Sequence, residues 1–499
     1  SLGESGVVQM TIGDIVPGLS AQDDDPVDIA AIKGRAAFSR ILREAVRLIP
    51  RLPERDQVLQ VWNRRVTLRV KDVQEALSRA RRSGRPHNVA RESFAMGLME
   101  LLAGRLIVEA GDASTTADID PDDLKTWMSE IRDSVDARRA INLAWMPTQA
   151  PAFLRKLWSR PDLLAQANRK AGTPLSVEDL NLLYRTQDEP LTISDIPLID
   201  ELEELLGTLD LASAQKRRAE EQREKEERER ANEALKATGL GGGIVTADML
   251  MRQTQEAPSL RPLAERARAD RSWTYGHIVI DEAQDLSPMA WRCLLRRCPS
   301  RSMTVVGDLD QKRGHRRPHS WKQALGPAAR AFSEEFILSI SYRTPRALTR
   351  IAQAVMAQHG TPVLYPMEAV RDVPDCYQVS YTHKDTLKEC VSQVVSTMEQ
   401  RLDREEGEGK GRICVIVPDA QAQLWHADES GASALDQRVS YLTAAGSKGL
   451  EFDSVVVVEP GEILEQGSGD LFVALTRATH DLHAVTTTQL PRGMEEWDA

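Results

Sequence analysis

From His277 to Val485 the chain alternates short β-branched runs with helical stretches. HIVI, MTVV, FILSI, ICVIV, SVVVV and LHAV are spaced by segments such as 287–297, 345–358 and 385–401. Parallel strands need a crossover long enough to hold a helix, so this alternation predicts an α/β fold built on parallel sheets. A boundary between two such sheets is placed near Ser341. At 499 residues the chain is too long for one core, and about three domains are expected.

Upstream of His277 the pattern differs. Residues 1–24 read as a short strand and loops that belong to something preceding them. The opening Ser1, without an initiator Met, reads as the interior of a domain, so a fragment is expected. From Pro26 to about Asp270 the periodicity is helical, first over Ala30–Leu48, then Val70–Ala80 and Glu92–Glu109. A polar break holding Asp112, Asp118, Asp120, Asp122 and Asp123 precedes a helix that opens at Leu124. Leu198–Lys236 mixes charges of both signs without Gly or Pro, as a solvent-exposed helix does. It meets the Gly-rich run Gly239–Gly243, with Asp248 close by, and a second helical stretch to Ala269. A helical hairpin over about 198–268 is one reading; a solvated helix followed by a loop is the other.

The net charge of −11 fits a protein partner at least as well as a long nucleic-acid footprint, which usually needs an excess of Lys and Arg. Five cysteines without a Cys-x-x-Cys pair predict neither a zinc site nor a disulfide framework, and point to a reducing cytoplasm. The longest apolar runs are strand-length, so no membrane span is expected.

The chemistry sits at the ends of the strands. YGHIVIDEAQDLSP (275–288) delivers two adjacent carboxylates at a strand's C-terminal end, where open α/β sheets bind ligands. Asp281 suits a nucleotide's Mg²⁺, which keeps much of its water. Glu282 suits a general base for an attacking water. A strand ending in acidic turn residues is the plainer reading of this motif alone. MTVVGDLDQ (303–311) repeats the strand-then-polar-turn pattern, with Asp308 able to couple to the metal and Gln311 to sense a γ-phosphate. FILSISYRTP (336–345) ends in Tyr342, which can stack on a base, and Arg343, which can meet a phosphate bidentately; a capped strand end is the alternative. YLTAAGSKGLEFDSVVVVEP (441–460) carries a Lys-Gly-Leu-Glu turn with Gly449 and Glu451. LFVALTRATHDLHAV (471–485) puts Arg477 on a helix, where it can serve as an arginine finger.

In this order and spacing, DEAQD, GDxxQ, YRT, KGLEF and ALTRA resemble motifs II to VI of the UvrD/Rep branch of superfamily 1 helicases, over roughly 270–485 plus the first two dozen residues. The resemblance implies two RecA-like parallel-sheet domains that clamp ATP or GTP with Mg²⁺, and a large, mainly helical insertion in the first. Residues 1–24 and 269–340 would then form the first RecA-like domain, 25–268 the insertion and 341–499 the second domain. It also implies that Asp281 and Glu282 serve metal and water and that Gln311 reads the γ-phosphate. Tyr342 would stack on the base, Arg343 and Arg477 would approach the γ-phosphate, and Glu451, with Gly449 in its turn, would lie near the ribose.

The sequence departs from such helicases in three ways. No GxxxxGK[ST] loop occurs, so this chain alone is expected not to hydrolyse nucleotide. After Gln311 the run KRGHRRPHSW has no aromatic until Trp321, and Ala445 stands where the family commonly has a strand-touching His. Only about 100 residues separate Arg343 from Thr443, too few for the usual accessory subdomain. The remaining pattern resembles HelD, a helicase-like ATPase associated with bacterial RNA polymerase. That resemblance implies a monomeric, cytoplasmic NTPase that remodels or recycles stalled polymerase core, with nucleic acid a weaker partner. The loop with Asp112, Asp118, Asp120, Asp122 and Asp123, or the tip near Asp248, would enter the polymerase; both also read as ordinary solvated loops. A UvrD-like 3′–5′ DNA helicase and a non-catalytic polymerase-binding scaffold are the alternatives.

Overall fold

The computed structural model describes residues 7–19, 21, 24–111, 119–207, 209, 263–314, 317–427 and 437–495. They fall into two compact units, Ser1–Asp25 with Ala36–Trp273, and Pro26–Arg35 with Thr274–Ala499. Helix α1 (Val27–Lys33) therefore goes with the second unit.

Among the described residues the first unit is helical apart from one hairpin. It holds α2 (Phe38–Arg47), β1 (Gln57–Val61), β2 (Arg64–Leu68), α3 (Val70–Arg82), α4 (His87–Ala110), α5 (Pro121–Asp133) and α6 (Val135–Ala144). Then follow α7 (Ala150–Ser159), α8 (Pro161–Lys170), α9 (Val177–Leu182), α10 (Ile196–Leu206) and α11 (Leu263–Ala269). Local chemistry sets several starts: Pro121 and Pro161 occupy first-turn positions, and the side chains of Asp120, Ser134 and Ser176 accept backbone N–H groups as N-caps. One core joins the inner face of the hairpin (Leu59, Val61, Val66, Leu68) to Phe94, Leu98, Leu102 and Trp145. Phe38 meets Trp158 edge-on at 5.9 Å.

Several expectations change here. The stretch read as helical throughout contains the antiparallel β1–β2 hairpin, whose burial alternates with period two. Its two-residue turn puts Trp62 at φ 49°, in the left-handed region such turns use. The single helix expected over Ala30–Leu48 breaks between Lys33 and Phe38. At Gly34 a Cβ would come 2.5 Å from the Cβ of Ser287, so the chain passes there too closely for a side chain. Among the described residues before Pro26 there is a 3-10 turn, Ile12–Asp14, in place of the expected strand. Of the hairpin expected over 198–268, only α10 and α11 with their flanks are described; Gly239–Gly243 and Asp248 lie outside the described residues.

The second unit carries the parallel sheets. Strands β3 (Ile278–Ile280) and β4 (Met303–Val305) pair in parallel, and α12 (Pro288–Arg297) connects them. The short helix α13 (Trp321–Ala324) follows, and Trp321 packs on the β3–β4 core. A second parallel pair joins β5 (Ile340–Ser341) to β6 (Glu368–Ala369) across α14 (Arg346–Gln358). The expected FILSI strand is thus cut to its last residues, because only they find a neighbour; Phe336, Ile337 and Leu338 stay exposed.

The largest sheet has the order β7-β11-β10-β8-β9, all parallel. It consists of β7 (Tyr377–Tyr381), β8 (Ile413–Val417), β9 (Val439–Thr443), β10 (Phe452–Val458) and β11 (Ala478–Thr486). Its connections are α15 (Leu387–Glu405), α16 (Ala422–Trp425), α17 (Pro460–Gln466) and α18 (Ser468–Leu475). One face packs on α15, the other on α14, α17 and α18, so β8 is buried at every residue and reads as a continuous apolar run. The mixed α/β content and parallel sheets agree with the α/β fold expected from the alternating strands and helices. Among the described residues no helix is long and apolar enough to cross a membrane.

Candidate functional site

Strand β3 ends at Ile280 and the chain turns at once. Asp281 takes the N–H of Glu282 on its own carboxylate at 2.9 Å, and Glu282 adopts φ 49°, ψ 39°, a left-handed conformation that a non-glycine residue holds only at a cost. Backbone bonds from Val306 to Ile280 (2.8 Å) and from Ala283 to Val306 (3.0 Å) lock the ends of β3 and β4 side by side. Both polar strand ends therefore face the same edge.

A chain of side-chain hydrogen bonds runs from this acid pair. Buried Gln284 donates to Glu282 Oε2 at 2.6 Å, and its Oε1 accepts the N–H of Asp308 at 3.0 Å. A Cβ at Gly307 would stand 2.3 Å from that same oxygen, which is why a glycine precedes Asp308. Asp308 caps the turn Leu309–Gln311 and accepts from Gln311 Nε2 at 3.1 Å. Gln311 Oε1 in turn accepts from Arg477 Nη2 at 3.2 Å.

Arg477 is the unusual member. It is 4% exposed, and its described acceptors are neutral: Gln311 and the carbonyls of Val473 and Leu450, each at 3.3 Å, with the hydroxyl of Thr476. No carboxylate among the described residues lies within ion-pair distance of it. Burial pulls its pKa below the usual arginine value and Arg343 adds to that, while Glu282, Glu451 and Asp308 act against it. A guanidinium stays charged through such shifts, so the site presents a buried cation with its charge unmatched by contact. The helix expected to carry it ends sooner: α18 stops at Leu475, and Arg477 lies on the two-residue link into β11, which frees its side chain from a helix face.

Lys448 joins the β9–β10 turn to the acid pair. Its Nζ donates to Asp285 at 2.5 Å and to the Gln311 carbonyl at 3.0 Å, and lies 3.7 Å from Glu282 Oε2. Gly449, at φ 74°, faces Glu282: a Cβ there would be 3.9 Å from Oε1. Arg343 forms an ion pair with Glu451, both partly exposed, so these two predicted site residues hold one another. Tyr342, 68% exposed, stands beside Arg343.

A further shell fixes these loops. Buried Asp310 pairs with Arg317 and accepts the N–H of Leu364 at 3.0 Å. Arg313 bridges Asp419 (3.0 Å) and Asp470 (3.3 Å), and Asp470 also accepts the N–H of Gly314. Gly469 admits the Lys312 carbonyl so closely that a Cβ would meet it at 2.0 Å.

The structure thus brings Asp281, Glu282, Asp308, Gln311, Arg343, Gly449, Glu451 and Arg477 into one neighbourhood. Gln284, Asp285 and Lys448 belong to it as well, though the sequence reading assigned them no role; all three sit inside the quoted motifs. Of the acidic-loop residues, Asp120 caps α5 and Asp122, exposed, pairs with Lys125 at 3.0 Å. Asp123 is exposed in the first turn of α5, and Asp112 and Asp118 lie outside the described residues. Among the described residues no cluster of three His, Cys, Asp or Glu could cage a metal. An exposed carboxylate at Asp281, at the end of β3, fits Mg²⁺ carried in with a nucleotide, since that ion takes most of its ligands from water and phosphate.

Residues 244–486 match the viral superfamily 1 RNA helicase core domain, and residues 162–312 match the UvrD/REP helicase N-terminal domain. No curated protein matches the chain. Among solved structures, the C-terminal domain of a possible DNA helicase from Lactobacillus plantarum WCFS1 is 17% identical over 31% of this chain and 92% of that one, with a TM-score of 0.22. The arterivirus nonstructural protein 10 helicase is 16% identical over 45% of this chain and 42% of that one (TM-score 0.27). The PRRSV helicase is 15% identical over 42% and 34% (TM-score 0.24), so the chain spans less than half the length of these viral helicases. The two family matches overlap across the acid pair, and with the motifs around it they mark a superfamily 1 helicase-like domain in this chain.

Proposed function

We propose that the second unit is the nucleotide-handling core of a motor that takes ATP or GTP with Mg²⁺ at the edge where Asp281 and Glu282 meet Arg477. The observation that carries this reading is the buried Arg477, held by neutral acceptors within reach of Gln311. An anionic phosphate chain is the partner such a cation lacks. Asp281 would hold the Mg²⁺, which when bound neutralises phosphate charge. Glu282, aimed by Gln284 and balanced by Lys448, would take the proton of a water. Gln311 would report the γ-phosphate to Arg477, Arg343 would meet the phosphates once released from Glu451, and Tyr342 would stack on the base. Gly449 and Glu451 would border the ribose. Because the chain has no GxxxxGK[ST] loop, turnover is proposed to need a phosphate-binding loop from outside it.

The work done is proposed to be HelD-like: binding of bacterial RNA polymerase core and remodelling or recycling of stalled complexes. Three features support this. The net charge is −11. Trp321, the first aromatic after Gln311, is spent in the β3–β4 core. The unit upstream of His277 is large and mainly helical. A UvrD-like translocase is the second reading, favoured by the two helicase families that match. Three measurements on the full-length protein separate the readings. Glu282→Gln should lower NTP turnover at least ~100-fold; wild-type turnover in that variant removes the proposed mechanism. Polymerase subunits should co-purify with the wild type, whereas strand unwinding or DNA-stimulated turnover without polymerase capture would establish the translocase. Polymerase capture with no wild-type turnover would leave a scaffold.

A further inference from the structure

The C-terminal end of α3 gathers a positive charge that the nucleotide site does not use. Between Ser78 and Arg91 the chain has five arginines (Arg79, Arg81, Arg82, Arg85, Arg91) and no acid, in a protein of net charge −11. Arg79, Arg81, Arg82 and Arg85 are exposed, and none lies within 4.0 Å of a carboxylate among the described residues. Cations favour a helix C-terminus, where they offset the dipole by a few tenths of a kcal/mol to about 1; four on one turn and its exit exceed what that effect explains.

The turn that carries them is built rigidly. Ser83 Oγ donates to the Ala80 carbonyl at 2.6 Å and accepts the N–H of Arg85 at 3.3 Å. Gly84 takes φ 65° and Pro86 follows. Arg81 is tied to the Arg47 carbonyl at 3.2 Å. Beside this turn, α3 and α4 enclose a groove of about 450 Å³ whose lining includes Arg79, Arg85, Ser83, Ser93 and Gly97. The Arg79 guanidinium passes over Gly97, 3.9 Å from where a Cβ would be, so the floor is bare backbone flanked by hydroxyls.

We infer that this arginine-rimmed groove binds the sugar–phosphate backbone of a nucleic acid, apart from any contact made by the second unit. Arg79 and Arg82 stand three residues apart on one helix face, roughly 5–6 Å at Cβ, and guanidinium forks take phosphate oxygens two at a time. Ser83 and Ser93 offer hydroxyls to phosphates or sugars. The lining has no aromatic or large aliphatic side chain, so it lacks the buried anchor that a protein partner needs and also the platform that would stack bases. Binding is therefore electrostatic and insensitive to base sequence.

The test is fluorescence anisotropy with labelled 20-nucleotide single strands of RNA and of DNA, and the matching duplex, titrated with the whole chain at several salt concentrations. Arg79→Gln/Arg82→Gln/Arg85→Gln keeps good helix formers at exposed positions. It should weaken binding of at least one probe at least ~10-fold near 100 mM salt, and make the log–log salt dependence shallower by about 2, as losing three phosphate contacts requires. The probe that loses most identifies the nucleic acid. Arg138→Gln/Arg139→Gln, two exposed charges on α6 of the same unit, should leave both quantities unchanged. Wild-type affinity and slope in the triple variant overturn the inference, as does an equal loss in the α6 variant. Displacement of the probe by polyglutamate as readily as by unlabelled oligonucleotide would assign the groove to an acidic protein and also overturn it.

Discussion

The two units treat their inward-facing arginines in opposite ways. In the first unit Arg105 meets Asp72 through two hydrogen bonds of 2.6 and 2.7 Å, and Asp72 also caps the start of α3. Arg185 likewise meets fully buried Asp195 at 3.1 Å. In the second unit Arg477 is more fully removed from water than either, yet it rests on amide, hydroxyl and carbonyl oxygens, while Glu282 and Glu451 lie near Lys448 and Arg343 instead. A paired charge is satisfied within the fold; an unmatched one is a place prepared for something else.

That contrast can be broken or sharpened by substitution. The largest effect is expected at Arg477: in the full-length protein Arg477→Ala should lower NTP turnover about 1,000-fold, the scale of an arginine finger, while nucleotide affinity measured by equilibrium titration falls far less. Undiminished turnover would remove Arg477 from the site. Stability should show the reverse ranking. Arg105→Met strands the Asp72 carboxylate and should cost about 3 kcal/mol in urea unfolding; Arg477→Met, which takes a donor from neutral oxygens but strands no charge, should cost about 1.5 kcal/mol. Equal losses would mean the two arginines play the same structural part.

A comparable effect comes from pH. Burial holds the His87 ring down to about 4, with Arg91 and Arg81 assisting and the Met146 carbonyl opposing. The unfolded chain binds this proton near the ordinary histidine value of 6.5, so between pH 6.5 and about 4 it holds more protons than the folded one. Stability should therefore be full above pH 6.5 and fall as pH drops through that window, by up to about 3 kcal/mol. His87→Gln should flatten the pH dependence of the urea midpoint. The smallest effect on turnover is expected at Gly469→Ala, whose Cβ must displace the Lys312 carbonyl. It should cost about 2 kcal/mol and, by moving Gln311, slow turnover by about 10-fold, read in the same assays.

The parts of this architecture legible in the sequence were those where chemistry demands particular residues in short contiguous stretches. The acid pair, Gln311, Arg343 and Arg477 stand in four such stretches, and the structure gathers them although 196 positions separate Asp281 from Arg477. Gln284 escaped notice because an amide advertises nothing until its two ends are seen to join Glu282 to Asp308. Lys448 and Asp285 pair across 163 positions, a relation no local pattern contains. The β1–β2 hairpin did leave a signal, alternation over QVLQV and RRVTL, but helical periodicity on both sides drew the reading through it. FILSI failed for the opposite reason: its residues favour a strand, yet only Ile340 and Ser341 find one to pair with.

Glu282 invites one more consequence. At φ 49° any side chain is strained by roughly 1 kcal/mol or more, and glycine alone would relax the turn. Glycine at this position would ease the backbone but take away the carboxylate that Gln284 and Lys448 hold. The backbone bonds of Val306 to Ile280 and of Ala283 to Val306, one on either side of the turn, are what keep that strain from unwinding.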